Sequence, residues 1–234
     1  MTDSTKFSLS PAEENYINSI IEKVADEKKK STFRIIGFEE FYALFNKDEV
    51  DLIKRLLDID PAEYGFRGTY FGIEQVPNDL VEIVDQKYNL DDKIETLEAQ
   101  YLPKQVYLAY LKLNESLYEK AKKRLLVLSG YRSPAYQVFV FLWYFKFYAF
   151  DLQKTIRRAA LPGYSEHGFP DRQAIDFITE NGSPTEANPE DFENTTEYKW
   201  LVENADKFNF YLTNPRNNTL GTMYEPWHWA HIKA

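Results

Sequence analysis

Behind Ser10-Pro11-Ala12-Glu13, apolar residues recur at helical spacing: Tyr16, Ile17, Ile20, Ile21 and Val24. Ser at the cap, Pro at the first helical position and Glu three residues on form a helix start, so the pattern predicts a helix to about Lys30. Residues 38–45 and 48–57 read as two short helices, closed by Asp60-Pro61. Residues 68–76, GTYFGIEQV, are β-rich and bounded by Gly and Pro, which predicts a strand or hairpin arm. A long helix is predicted from near Pro103 to Lys122-Lys123, where cations suit the negative end of the helix dipole.

The texture then changes. Arg124-Leu125-Leu126-Val127-Leu128 is a short apolar run ending at Ser129-Gly130, a predicted strand. Ser133-Pro134 opens an aromatic helix, with Ser as cap and Pro in the first turn. A loop over 161–172 leads into a strand over 173–177. Asn194-Thr195-Thr196-Glu197 reads as a second capping box, heading a helix that carries Trp200, Leu201 and Ala205. Residues 224–229 close the chain as a final strand. There is no internal repeat, low-complexity tract or linker, and the expected class is α+β with a mainly helical N-terminal portion.

Composition narrows the function classes. The chain has 234 residues, 44% hydrophobic and 16% aromatic, enough apolar surface to bury a sizeable core. Its formal charge of −9 makes it a poor phosphate-backbone binder, so no nucleic-acid partner is expected. The most apolar run, 138–150, is 13 residues long and contains Lys146, whereas a bilayer span needs roughly 20; a buried helix is expected and no transmembrane segment. The first residues lack the basic and apolar regions of a signal peptide. With no cysteine, any metal must be held by Asp, Glu or the three histidines His167, His228 and His231.

Three segments hold candidate chemistry. Ser165-Glu166-His167 lies in a loop, Asp176 on the strand that follows it, and Glu225 with His228 in the last aromatic segment. Two imidazoles and one carboxylate are the protein ligands of a catalytic zinc site, whose fourth position is left for water. Glu225 would be a remaining carboxylate, free to take a proton from that water. Trp227 and Trp229 read as core or cleft wall.

Read together, these segments resemble the VanY-type zinc D-alanyl-D-alanine carboxypeptidases of the bacterial cell wall. The resemblance rests on Ser129-Gly130-Tyr131-Arg132-Ser133 with Gln137, on residues 162–167 with Ala174-Ile175-Asp176, on Trp200 to Ala205 with Phe208-Asn209-Phe210, and on residues 224–229. It covers roughly Leu125 to the C-terminus, in the family's order. It implies a small antiparallel sheet carrying a zinc site, flanked by helices, within a peptidase core over 101–234; residues 1–100 form a helical portion of unassigned role. By resemblance His167, Asp176 and His228 hold Zn2+, Glu225 is the general base, and Arg132 binds or polarises the substrate near the scissile bond. Gln137 and Ser165 match positions that hydrogen-bond the terminal residue of the substrate. The implied partner is a peptidoglycan stem peptide or precursor.

The family places the Asp seven residues after the first His, whereas here the separation is nine, 176 − 167. Two extra residues, including Pro170, are expected to bulge the loop; the alternatives are that Asp171 competes as a ligand or that the site is distorted. Asn209 stands for a usual Gly, and Asn tolerates positive φ. His231, three residues after His228, would face the other side of a strand and is expected to be peripheral. The leading expectation is a D,D- or L,D-carboxypeptidase. An endopeptidase or dipeptidase on similar peptides is the second reading. A non-catalytic binding module, as in the related hedgehog domains, is the third. Localisation is expected to be cytoplasmic if Met1 is the native start and the cell envelope if the sequence has been trimmed.

Overall fold

The computed structural model describes residues 7–90, 92–182 and 187–233. Helix α1 (Pro11–Lys23) opens on the expected capping box, the Ser10 hydroxyl accepting from Glu13 N and the Glu13 carboxylate from Ser10 N. It stops at Lys23 rather than near Lys30. Beyond Val24 the chain offers no apolar residue at helical spacing, so a longer helix would have nothing to bury, and two 3-10 turns follow. Helices α2 (Phe38–Tyr42) and α3 (Lys47–Leu57) come next, the latter capped by Asn46.

Residues 68–76 are not a strand. They run as a strap without sheet partners, tied down by Arg67 N to Leu220 O and Phe71 N to Gly163 O, each 2.7 Å. Pairing begins later, where β1 (Leu80–Ile83) lies antiparallel to β4 (Gln100–Pro103) and β2 (Lys87–Leu90) to β3 (Lys93–Thr96). Helix α4 (Lys104–Ala121) leads to β5 (Leu125–Ser129), and the aromatic α5 (Pro134–Phe147) is capped by Ser133 as expected. Then come α6 (Leu152–Arg158), β6 (Arg172–Thr179), α7 (Pro189–Glu193), α8 (Thr196–Asn204), β7 (Phe210–Leu212) and β8 (His228–Ile232). The cap of α8 is Thr195, not Asn194, which ends α7. The final strand starts at His228, four residues after its expected beginning. Asn209 sits at φ +61, the conformation the usual Gly would supply.

The central sheet is antiparallel with order β5-β6-β8-β7. One apolar cluster gathers α1, α2, α3 and α6 about α5; the other packs α4 and α8 against the sheet. An outer edge of β5 would expose unpaired backbone groups. Side-chain amides stand in for a further strand. Asn114 pairs with both N and O of Leu125 at 2.8 Å, and Gln86 with N and O of Val127 at 2.8 and 3.0 Å. No helix among the described residues is long and apolar enough to cross a membrane.

Candidate metal centre

Antiparallel register brings Asp176 on β6 directly opposite His228 on β8. His167 arrives from a 3-10 turn, Glu166–Gly168, which is tied to the preceding loop by Arg132 N to His167 O at 2.9 Å. The ligating atoms of His167, Asp176 and His228 all lie within 4.8 Å of one another. His228 Nδ1 is 2.9 Å from Asp176 Oδ1, and His167 Nε2 is 3.3 Å from Asp176 Oδ2.

The outer partners fix which nitrogen faces inward. His167 Nδ1 donates to Gly130 O at 2.8 Å, so its Nε2 lone pair points at the site. His228 Nε2 donates to Glu166 Oε2 at 3.0 Å, so Nδ1 is its inward atom. Burial, helped by the Arg132 charge, pushes the His167 pKa down to about 4 and keeps that imidazole neutral. Burial opposes charge on His228 too, but the Asp176 and Glu166 carboxylates outweigh it and raise its pKa to about 10. Burial would raise Glu166 and Asp176, yet hydrogen bonds from His228 and Thr213 bring Glu166 down to about 2, and the two imidazoles hold Asp176 well below the usual carboxylate range.

These residues fit a divalent cation. The buried His167 Nε2 has no hydrogen-bond partner, and its lone pair faces a carboxylate oxygen, a repulsive contact that a cation between them would reverse. Two imidazoles and one carboxylate, each with an oriented outer partner, are the donor set of a catalytic zinc site.

Around the triad lies a cleft of about 420 Å³. Glu225, on the segment entering β8, reaches it with both oxygens held. Arg158 Nη1 donates to Oε1 at 2.5 Å and Asn214 Nδ2 to Oε2 at 2.7 Å. Arg132 lines the cleft with a buried Nε that has no partner; burial lowers its pKa while Asp176 opposes that shift. The loop carrying Arg132 is fixed by Tyr131 N to Tyr101 O at 2.6 Å, and a Cβ on Gly130 would meet that carbonyl oxygen at 2.3 Å, so only glycine fits there. Gln137 spends its amide donor on Ala160 O at 2.7 Å and keeps a buried, unpartnered Oε1. Ser165 lines the cleft while its hydroxyl accepts from His167 N at 3.4 Å. Phe66, just ahead of the strap, and Thr69 and Phe71 on it supply a wall.

All seven residues singled out from sequence therefore border one cleft. Of the lengthened loop, Phe169, Pro170 and Asp171 are not among the cleft's lining residues, while Arg172 is. Phe169 stacks on Phe71 at 5.1 Å, and Arg172 N closes a turn onto Phe169 O. Asp171 is exposed and paired with Lys233 at 3.1 Å, so it does not join the ligand cluster. His231 is buried against Phe210 on the face opposite His228. Sequence reading left Arg158, Asn214 and Thr213 unassigned, and gave Glu166 no role. A carboxylate directly beside His167, and an arginine pair at 157–158 just ahead of the loop, were the available signals.

A family model described as VanY, D-alanyl-D-alanine carboxypeptidase, matches residues 99–234. The putative carboxypeptidase YodJ of Bacillus subtilis (strain 168) is 28% identical over 229 residues, covering 90% of this chain and 74% of that protein. Among solved structures, the LdcB LD-carboxypeptidase, described for its recognition of peptidoglycan, is 30% identical with a TM-score of 0.51, over 67% of this chain and 69% of that one. A D,D-pentapeptidase VanY from a VanB-type resistance cassette, solved with Zn(II), is 20% identical with a TM-score of 0.45, over 63% of this chain and 78% of that one.

Proposed function

The chain belongs to the VanY family of D-alanyl-D-alanine carboxypeptidases, and from that premise we propose that it removes the terminal D-amino acid from peptidoglycan stem peptides, with His167, Asp176 and His228 holding zinc. The observation that carries this reading is the inward orientation of His167 Nε2 and His228 Nδ1 onto Asp176, with Glu225 beside them. Zinc in that position supplies a Lewis acid and lowers the pKa of a water to about 7.

The chain's own residues do the rest. Glu225 Oε2 lies 3.9 Å from His228 Nδ1, where it can take a proton from the attacking water and hold it for the leaving amine. Arg132, with its buried guanidinium, offers two parallel donors to a carboxylate or developing oxyanion. Gln137, whose Oε1 is buried and unpartnered, and Ser165, on the cleft wall, would hydrogen-bond the terminal residue of the substrate.

The test is incubation of the zinc-loaded protein with stem peptides ending in either D-alanyl-D-alanine or an L,D-linked D-alanine, with products read by mass. Release of one terminal alanine is expected. Cleavage only at internal bonds, or no product from a zinc-loaded protein, would overturn the reading.

A further inference from the structure

Glu225 lies close enough to the metal position to be a ligand, and something must stop it. Its Oε2 is 3.9 Å from His228 Nδ1, the nitrogen that would face the ion. Carboxylate oxygens ligate zinc at about 2.0–2.2 Å, so a modest side-chain rotation would carry Glu225 into the open position that a catalytic site reserves for water. Two donors oppose that rotation. Asn214, on the loop after β7, holds Oε2; Arg158, at the last residue of α6, holds Oε1 from across the cleft. Arg158 is itself locked in place. Its side chain is 13% exposed, and its guanidinium stacks over the Tyr144 ring at 4.7 Å. Asn214 is braced in turn, its Oδ1 accepting from Thr222 Oγ1 at 3.0 Å.

We propose that Arg158 is a positioning residue whose ion pair across the cleft keeps Glu225 out of the metal's coordination sphere, so that Glu225 acts as a base and not as a fourth protein ligand. The inference rests on the zinc reading above. Its energetic basis is the charge-assisted, desolvated bond between the helical side of the cleft and the segment entering β8. Asn214 alone offers Glu225 a neutral donor, weaker than a guanidinium.

The experiment compares wild type, Arg158→Met, Arg158→Lys and the double variant Arg158→Met/Glu225→Gln, each stripped of metal and titrated with zinc or cobalt(II). Arg158→Met should bind zinc about tenfold or more tightly than wild type, the scale on which groups around a metal site act. Its cobalt(II) absorption spectrum should differ from wild type, reporting a changed ligand set. The double variant, lacking the carboxylate, should return both readouts toward wild type. Turnover by Arg158→Met should fall in kcat by about 10²-fold or more, with KM little changed. Arg158→Lys should recover part of the wild-type spectrum and kcat.

Unchanged zinc affinity and cobalt spectrum in a folded Arg158→Met would overturn the proposal, whatever its kcat. A rise in KM with kcat kept would also overturn it, in favour of a substrate contact. If Arg158→Met does not fold, Arg158→Gln, which keeps a polar head but removes the charge, decides. A cobalt spectrum and kcat displaced from wild type and corrected by Glu225→Gln in the spectrum support the proposal, and an unaltered spectrum sinks it. Failure of the zinc reading itself looks different, because the wild type would then take up no stoichiometric zinc.

Discussion

From the sheet side of the cleft come the groups that face the ion: Asp176 on β6, His228 on β8, and His167 on the turn just before β6. The helical side and the strap supply further lining groups, Arg158 among them pairing with Glu225. These are Gln137 and Tyr144 on α5, Arg158 on α6, Phe66 just ahead of the strap and Phe71 on it. The first set is held by backbone register and short polar links, which leave little freedom in where each ligand points. The second set depends on how aromatic helices pack, and it can change without moving the ligands. On the proposed function the difference would separate chemistry from selectivity: the sheet side would fix what reaction is possible, and the helical wall what enters.

Glu225 is gripped from both sides, by Arg158 and by Asn214. Glu225→Ala should lower kcat by about 10²–10⁴-fold while keeping one zinc per chain. Substantial hydrolysis by that variant would remove Glu225 from the mechanism.

A pH titration sharpens the account of the sheet side. In the metal-free protein the pKa of His228 is raised to about 10, above the unfolded value near 6.5. The stability from its pairing with Asp176 and Glu166 is therefore fully present below about pH 6.5 and lost as pH rises toward about 10. Zinc needs Nδ1 without its proton, so metal binding runs the opposite way. The zinc Kd should fall about tenfold per pH unit between about pH 7 and 9, with one proton released per ion. Calorimetry in buffers of different ionisation enthalpy measures that proton, and its absence would contradict a protonated His228 acting as a zinc ligand.

Fold stability can be perturbed apart from the site. Asn114→Leu strips the edge of β5 of its amide partner and leaves Leu125 N–H buried and unpaired. A loss of about 1–3 kcal/mol is expected in urea denaturation, with zinc affinity unchanged. The smallest effect belongs to the strap. Phe71→Ala removes an aromatic ring from the cleft wall, and KM should rise about two- to tenfold with kcat kept. A fall in kcat alone would show that the strap does more than shape the cleft.

Legibility in the sequence follows the same division. The clustering of His167, Asp176 and His228, with Glu225 beside them, was expected before any coordinates from the conjunction of sequence blocks that resembles the VanY family, since each short segment alone has other uses. The class of fold was legible too, from capped helices and apolar runs. The hairpins over residues 80–103 were not. Their strands carry little alternation, with Ile94 77% exposed and β3 exposed throughout, so no apolar face marks them. Residues 68–76 misled in the opposite sense, because aromatic and β-branched residues there serve a cleft wall and not a ladder. Arg158 stayed hidden because its meaning depends on a carboxylate 67 residues away.

The most direct measurement is metal content per chain, on wild type beside His228→Ala, after both have been exposed to zinc and freed of excess. The account predicts one tightly held zinc in the wild type and none in the variant, because His228 supplies one of three inward ligands and its loss leaves two. Zinc held equally by both proteins, or by neither, would contradict it.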